Sequence, residues 1–295
     1  MGAEISYGIG AGSPIHKRGA LPYTKRSEVN ISLFSQSLFG LPLEEAVEAT
    51  RKVGFAAIEL ACCKPHFDVE MARRNPESVA ERIEQAGLKV SALSGFNSFT
   101  DPDTLAEQIE DAEILIRLAP VFNTTTVKLT PGPPGSAQAT GSHWRCLKDA
   151  LSMLVPVAAE VGVRLAFETH MRQLTDTLAS SKRLLEMAPS EVVGLTVDFS
   201  NMAFAGEYVS QVISELTYRT YNTHLKNGYV DSKGGWHFQA LDSGLVDYSL
   251  VLGKLQDAGY NGYLTIECLG ADAKEKPIET ARRDLGILRC YLGEA

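Results

Sequence analysis

The chain contains 295 residues, of which 44% are hydrophobic, and its formal net charge at pH 7 is −8. This length suits one large core, because an α/β barrel commonly needs about 250 residues in a single domain. The acidic balance argues against a nucleic-acid partner, and no apolar run approaches the ~20 residues of a membrane span. The five cysteines include no CxxC pair and the N-terminus has no apolar leader, so we expect a cytoplasmic protein.

The N-terminal region differs from the rest of the chain, because it is rich in Gly, Ser, Pro and basic residues and shows no hydrophobic period. We predict an N-terminal arm or cap over residues 1–28 and one barrel domain over residues 29–295. From Ile31 onward a unit recurs that consists of an apolar strand, a polar loop, an amphipathic helix and a glycine. The predicted strands cover residues 30–34, 56–60, 89–94, 125–130, 163–168, 193–198, 221–225 and 263–267.

The predicted helices between these strands carry buried-type residues at helical spacing, as in the stripe of Leu43, Val47 and Thr50. Several helices end at a glycine such as Gly54, which supplies the left-handed cap of a helix-to-strand turn. Pro156 lies inside another predicted helix and is expected to kink or break it. Eight alternating strand–helix units predict a parallel (β/α)8 TIM barrel. An open, doubly wound sheet is the alternative, but no Gly-x-Gly-x-x-Gly follows the first strand.

The last four predicted strands each end in a residue type that binds metals, namely Glu168, Asp198, His224 and Glu267. In a parallel barrel the carboxyl ends of all strands meet at one face, so the fold would bring these side chains together. A carboxylate buried at a strand end is costly to desolvate unless something binds it. We therefore predict one divalent metal ion, with Mn²⁺ as the first choice and Mg²⁺, Co²⁺ or Zn²⁺ as alternatives. The opposing hypothesis is that each of the four residues is a polar residue with a structural role at its strand end.

Short motifs extend this pattern along the chain: Ala166-Phe-Glu168-Thr-His170, Val197-Asp198, His224-Leu-Lys226-Asn227, Asp242-Ser-Gly244-Leu-Val-Asp247-Tyr248 and Tyr260-Asn-Gly-Tyr-Leu-Thr-Ile-Glu267. In this order, over roughly residues 30–292, they resemble the xylose-isomerase-like TIM barrel superfamily, and most of all its sugar phosphate isomerase/epimerase (tagatose 3-epimerase-like) branch.

The resemblance implies that the four strand-end residues are the metal ligands and that Glu168 and Glu267 are also catalytic. In similar epimerases two such glutamates face each other across a ketose. One removes the proton beside the carbonyl, the metal stabilises the enediolate, and the other returns a proton. The implied activity is that of a divalent-metal-dependent sugar isomerase or epimerase.

Four features depart from similar epimerases. Asn201 replaces a His, Asn227 replaces an Asp, no Arg follows His224 as far as Val230, and no Glu stands in Met171-Arg-Gln-Leu174 after the strand-5 ligand. These departures keep open a lyase or dehydratase that acts on a keto sugar or keto-glycoside through the same enolisation. More distant alternatives are an apurinic endonuclease-like nuclease and a non-catalytic barrel subunit. The nuclease would need further His ligands, and the fourth strand ends in Lys128-Leu-Thr without one.

Five residues near the strand ends are predicted to contact substrate: His66, His170, Asn201, Lys226 and Trp236. Trp236 lies in a Gly-rich excursion over residues 228–239 that suits a hairpin lid, and residues 131–142 form a second long loop. Rim packing and rim salt bridges are the structural alternatives for these residues. For His143 the alternatives are a catalytic role and a place in the cap of the following helix. The expected partner is a small keto sugar or related polyol, and a homo-oligomer is compatible with the sequence.

Overall fold

The computed structural model describes residues 30–294, so the arm predicted over residues 1–28 lies outside the described residues. Within this range the chain forms ten β-strands: β1 (Ile31–Phe34), β2 (Ala57–Ala61), β3 (Lys89–Ser94), β4 (Thr126–Leu129), β5 (Arg164–Glu168), β6 (Val193–Asp198), β7 (Thr220–Leu225), β8 (Asn227–Val230), β9 (Trp236–Gln239) and β10 (Leu264–Ile266). The same range forms eleven α-helices: α1 (Leu43–Val53), α2 (Val69–Arg74), α3 (Pro76–Gln85), α4 (Leu105–Leu118), α5 (Gly141–Val161), α6 (Leu178–Leu185), α7 (Phe199–Phe204), α8 (Val209–Leu216), α9 (Tyr248–Asp257), α10 (Ala271–Glu275) and α11 (Pro277–Leu292). Short 3-10 turns occupy Ser35–Leu38, Ala119–Phe122 and Thr217–Arg219.

Eight of the strands form a closed parallel barrel in the order β1-β10-β7-β6-β5-β4-β3-β2. β1 closes the ring, because Leu33 is in register with Ile58 of β2 on one side and with Ile266 of β10 on the other. The predicted (β/α)8 TIM barrel is confirmed, and every predicted strand end lies within one residue of the observed one. β8 and β9 pair with each other in a separate two-stranded sheet.

The helices contact the barrel through their apolar stripes. In α1, Leu43, Ala46 and Val47 are buried, and Gly54 ends the helix with a φ of 107°. This left-handed conformation favours glycine and lets its N–H bond the carbonyl oxygens of the last turn. None of the described helices has the length and apolar character that would let it cross a membrane.

The helix α5 continues past Pro156, so of the two outcomes predicted there, a kink or a break, the break is wrong. A proline removes one N–H donor from the helix ladder. Here the helix is 21 residues long, and Leu151, Leu154 and Ala158 are buried on both sides of the proline. Tertiary packing therefore offsets the lost hydrogen bond.

The barrel interior is polar, whereas the hydrophobic core lies between strands and helices. Side chains in the interior contact one another through polar groups, such as Ser32 with Ser91 at 2.7 Å and Glu59 with His224 at 2.9 Å. TIM barrels are usually filled at this position by branched aliphatic side chains. The outward-facing hydrophobic residues of the first, second and fourth strands belong to the main core cluster, namely Leu33, Ile58, Leu60, Val127 and Leu129. The interior charges must therefore be balanced by one another or by a ligand.

The hairpin of β8 and β9 leaves the barrel directly after β7, with only Lys226 between them. Its base is held by Asn227, whose Nδ2 donates to the carbonyl oxygens of Leu241 and Val246 at 2.9 and 2.8 Å. Oδ1 of the same side chain accepts from the N–H groups of Gly228 and Val246 at 3.0 and 3.1 Å. Because an ionised aspartate has no donor, the asparagine that departs from the epimerase pattern is needed for this contact.

Candidate metal centre

Four buried side chains converge at the carboxyl end of the barrel: Glu168, Asp198, His224 and Glu267. Glu168 and Asp198 are the last residues of β5 and β6, His224 lies in β7, and Glu267 directly follows β10. One ligand atom from each lies within 4.8 Å of the others. The parallel barrel thus brings together the four residues that the sequence singles out.

His224 has its two ring nitrogens in different surroundings. Nε2 lies 2.9 Å from Oε1 of Glu59, whose other oxygen accepts from Nδ2 of Asn222 at 2.8 Å. Nδ1 lies 3.4 Å from Oε1 of Glu168 and 3.8 Å from Oε2 of Glu267, without the alignment of a hydrogen bond. Glu59 therefore orients the ring so that Nδ1 faces the two glutamates.

Two buried lysines neutralise part of this negative charge. Nζ of Lys226 lies 2.6 Å from Oε2 of Glu267 and 2.8 Å from Oδ2 of Asp198, the latter an ion pair without hydrogen-bond alignment. Nζ of Lys128, in β4, lies 2.9 Å from Oε2 of Glu168. Lys128 contacts Oε2 of Glu168, whereas Oε1 of the same carboxylate faces His224. In Glu267 the oxygen that contacts Lys226 is also the one that faces His224.

Glu59 and Lys128 are the two site residues that the sequence analysis did not identify. Each is fully buried and lies inside a strand of otherwise uncharged residues, Ala57–Ala61 or Thr126–Leu129. A charged residue in such a strand is rarely buried without a partner. That contrast is the sequence signal from which both residues could have been identified.

The buried charges alter one another's protonation. Burial alone would raise the pKa of the Glu168 carboxyl, but the charges of Lys128 and His224 hold that pKa well below its usual range. Burial alone would lower the pKa of His224, but Glu59 and Glu168 raise it well above its usual value. Burial raises the pKa of the Asp198 carboxyl in spite of a nearby lysine. A metal ion that bound Nδ1 would therefore have to displace a proton from the imidazole.

The donor set fits a divalent cation. Nδ1 of His224 and Oδ2 of Asp198 are buried and have no hydrogen-bond partner among residues 30–294. Ligands bound at about 2.0–2.2 Å lie at most about 4.4 Å apart, so the 4.8 Å cluster needs only a small contraction. Together with Glu59 the cluster contains four carboxylates, which the two lysines and one divalent cation would balance. Carboxylate and imidazole ligands are compatible with Mn²⁺, Zn²⁺, Co²⁺ and Mg²⁺.

Asn201 and His170, two of the predicted substrate contacts, lie beside the cluster. The backbone N–H of Asn201 donates to Oδ1 of Asp198 at 2.8 Å, and its Nδ2 donates to the carbonyl of Thr169 at 3.0 Å. Oδ1 of Asn201 is buried without a partner in the described part of the chain. Nδ1 of His170 donates to the carbonyl of Met171 at 2.8 Å. Substrate contact remains a prediction for both.

Trp236 lies on β9, and the guanidinium of Arg172 is 4.5 Å from the centre of its ring. The hairpin therefore contacts the loop that follows β5. Phe238, two residues further on, lies 5.9 Å from Nζ of Lys226. These contacts place the hairpin over the same side of the barrel mouth as the cluster, and a lid role for Trp236 remains a prediction.

Two histidines have structural surroundings. His66 is fully buried, and its ring nitrogens contact Oγ of Ser35 at 3.0 Å and the carbonyl of Leu41 at 3.2 Å. Both nitrogens are thus engaged by protein groups, and substrate contact by His66 remains a prediction. Nδ1 of His143 accepts from the N–H of Thr140 at 2.9 Å within the N-terminal cap of α5, as the capping alternative predicts.

A family model described as xylose isomerase-like TIM barrel matches residues 47–290 of the chain. Among curated proteins, the chain is similar to the inosose dehydratase of Clostridium perfringens, with 24% identity over 166 residues. The match covers 52% of this chain and 56% of that relative. The chain therefore spans about half the length of the curated relatives it matches.

Two solved structures share the fold. The protein IOLI, in a crystal structure with a bound zinc atom, aligns with a TM-score of 0.77 and 15% identity over 90% of this chain and 99% of its own. An L-ribulose 3-epimerase aligns with a TM-score of 0.72 and 21% identity over 90% of this chain and 95% of its own. At these identities the likeness shows the fold alone.

Proposed function

Because the chain belongs to the xylose isomerase-like TIM barrel family, we propose that it is a divalent-metal-dependent enzyme that removes a proton beside the carbonyl group of a keto sugar or related polyol. The observation that carries the proposal is the cluster of Glu168, Asp198, His224 and Glu267, in which Nδ1 of His224 and Oδ2 of Asp198 are buried without a hydrogen-bond partner among residues 30–294. A divalent cation held there would supply Lewis-acid stabilisation of the negative charge that develops on the substrate oxygen. Mn²⁺ remains the first choice, with Zn²⁺, Mg²⁺ and Co²⁺ as alternatives.

The two glutamates are proposed to move the protons. Glu168 and Glu267 approach the same nitrogen of His224, at 3.4 and 3.8 Å, so a substrate carbon near this point is within reach of both. Lys128 contacts Glu168 and helps to hold the pKa of that carboxyl well below its usual range, which suits a general base. Lys226 lies 2.6 Å from Glu267. One glutamate would accept the proton from the substrate carbon, and the other would deliver a proton.

Two outcomes can follow from this proton abstraction. In a dehydration, the electron pair of the broken C–H bond forms a C=C bond as the neighbouring β C–O bond breaks, and the hydroxyl takes a proton and leaves as water. In an epimerisation, a proton returns to the same carbon from the opposite side. We favour dehydration, because the curated relative named an inosose dehydratase is similar in sequence, whereas the likeness to an epimerase is one of fold. Epimerisation is the second candidate because both glutamates are present.

The experiment incubates metal-loaded protein in D₂O with 2-keto-myo-inositol, D-fructose and a 3-keto-glucoside, and follows the products by NMR. Loss of water from the inosose supports the dehydratase. Deuterium at an inverted carbon of the free ketose supports the epimerase. Release of the aglycone supports a lyase for keto-glycosides. Absence of exchange in all three compounds, with metal content verified, would contradict the proposal.

Glu168→Gln is the matched test of the proton-transfer role. This variant is expected to lose deuterium exchange by at least about 100-fold, the usual contribution of general acid–base catalysis. Its metal content must be measured first, because the same side chain is a proposed ligand. Glu191→Gln, at an exposed glutamate ahead of β6, removes the same charge far from the cluster and should exchange like the wild type.

A further inference from the structure

The barrel wall formed by β3 and β4 carries polar groups that the proposed metal site does not use. Ser94 is the last residue of β3 and is in register with Lys128 of β4. Residues in register on adjacent parallel strands point to the same face of the sheet. Because Nζ of Lys128 reaches Glu168 inside the barrel, the side chain of Ser94 also points inward.

The hydroxyl group of Ser94 has no hydrogen-bond partner within residues 30–294. Its oxygen, Oγ, is fully buried. A buried hydroxyl without a partner costs free energy, and most such groups in folded proteins are satisfied. Ala61, in register on the other side, is small and has no polar side-chain atom to offer the hydroxyl. These features suit a position that a ligand completes.

The ammonium group of Lys128 has capacity for a ligand as well. The ammonium group has three N–H donors, and two protein acceptors lie near it: Oε2 of Glu168 at 2.9 Å and the carbonyl oxygen of Gly95 at 3.4 Å. Its Nζ also lies 5.5 Å from the ring centre of Phe34 and 4.7 Å from that of Phe96. The two rings are stacked, and Phe96 is 42% exposed, so they form an apolar surface that reaches the mouth of the barrel.

We infer that Ser94 and Lys128 form a subsite that holds one hydroxyl group of a neutral polyhydroxylated ketone. The substrate hydroxyl accepts a hydrogen bond from Nζ of Lys128, and a second hydrogen bond joins it to Oγ of Ser94. The apolar C–H face of the substrate packs on Phe34 and Phe96. The inference rests on the proposed function, because the same molecule must place its carbonyl at the four-residue cluster.

The balance of buried charge selects a neutral substrate. Each of the two lysines is already paired with a carboxylate, and a divalent cation would neutralise the charge that remains. A substrate carboxylate or phosphate would add a negative charge that no group in the barrel interior, among the described residues, compensates. A hydroxyl group adds no charge and still satisfies Ser94.

The test uses Ser94→Ala, which removes the hydroxyl without adding volume or charge, and Ser152→Ala on the exposed surface of α5 as the matched control. Binding of myo-inositol to metal-loaded protein is measured by calorimetry, because this polyol has no carbonyl group and undergoes no turnover. Ser94→Ala is expected to bind it about fivefold more weakly, the effect of one hydrogen bond, and Ser152→Ala to bind it like the wild type. In turnover, Ser94→Ala should raise KM for 2-keto-myo-inositol by a similar factor with kcat within about twofold.

A set of monodeoxy-inositols identifies the hydroxyl that occupies the subsite. The analogue that lacks this hydroxyl should bind the wild type and Ser94→Ala with equal affinity, whereas the other analogues should keep the fivefold difference. The anionic ring ketone 3-dehydroshikimate should bind the wild type more weakly than 2-keto-myo-inositol.

Equal affinity of the wild type and Ser94→Ala for myo-inositol, with unchanged KM, would overturn the subsite and leave the proposed function intact if deuterium exchange persists. If 3-dehydroshikimate bound more tightly than 2-keto-myo-inositol, the inference of a neutral substrate would be overturned, and the proposed function would again stand if deuterium exchange persists. If fully metal-loaded wild-type protein neither binds a ring polyol nor exchanges deuterium into any keto compound, the subsite and the proposed function both fail.

Discussion

Replacement of Asn227 by aspartate perturbs the base of the β8–β9 hairpin without changing the size of the side chain. The amide group donates to the carbonyl oxygens of Leu241 and Val246, and the side chain is 1% exposed. An ionised aspartate would lose both donors and place a negative charge against two carbonyl oxygens. At about 1–3 kcal/mol for each buried group left unsatisfied, we expect a loss of roughly 3–5 kcal/mol in the free energy of unfolding.

The loss should depend on pH in a defined direction. The buried carboxyl of the variant is expected to have a folded-state pKa above the unfolded value of about 3.9, because only its protonated form carries a donor. The variant is therefore destabilised least below the unfolded pKa, and the destabilisation grows as pH rises through the folded pKa. Near pH 4 the variant should be closer to the wild type than at pH 8.

Urea denaturation at both pH values measures this difference, with Asn123→Asp as the control. Asn123 is exposed at the end of a 3-10 turn, and an aspartate tolerates its left-handed φ of 52°. Both variants add one negative charge, so the difference between their free energies of unfolding reports the effects of burial and hydrogen bonding. The reasoning is refuted if the stability of Asn227→Asp at pH 8 lies within about 0.5 kcal/mol of the control, the range usual for surface substitutions.

Three further changes test other parts of the structure. Glu59→Gln should weaken metal affinity about 10–100-fold, because a neutral amide holds Nε2 of His224 less firmly; competition with a chelator measures this, and unchanged affinity would remove Glu59 from the site. Gly244→Ala should cost about 3 kcal/mol in denaturation experiments, because its φ is 149° and an added Cβ would overlap backbone atoms of the hairpin; a stable variant would show that the turn can shift. Iodoacetamide at pH 8 should alkylate exposed Cys290 quickly and buried Cys62, whose thiol pKa is raised by burial, only on unfolding; mass spectrometry identifies the order, and early labelling of Cys62 would contradict the packing.

The strand ends could be predicted from the sequence because apolar runs and turn residues are local signals. The segment that ends at Glu168 and the segment that ends at Asp198 are each uninterrupted in the sequence, and the observed strands end at the same residues. In a parallel barrel every strand ends at the same face, so the topology brings the residues at these strand ends together. The grouping of the four cluster residues therefore needed no long-range information beyond the fold.

The side chains that contact the four cluster residues could not be predicted, because these contacts join residues that are far apart in the sequence. Glu59 meets His224 across 165 positions of the chain, and nothing near either residue indicates the other. His66 follows a strand in the way that a site residue would, yet Ser35 and Leu41 occupy both of its nitrogens. His66 has a suitable residue type and a suitable position near a strand end, but the orientation of its side chain directs both nitrogens to protein groups.

Asp198 divides its two carboxylate oxygens between the cluster and the first turn of α7. Oδ1 accepts from the backbone N–H of Asn201 at 2.8 Å, while Oδ2 faces Lys226 and the cluster. Any ion that draws electron density from this carboxylate changes the strength of the Asn201 hydrogen bond. The amide resonance of Asn201 is thus a built-in spectroscopic probe of site occupancy, and an isotope-labelled sample would report metal binding even when no substrate is known.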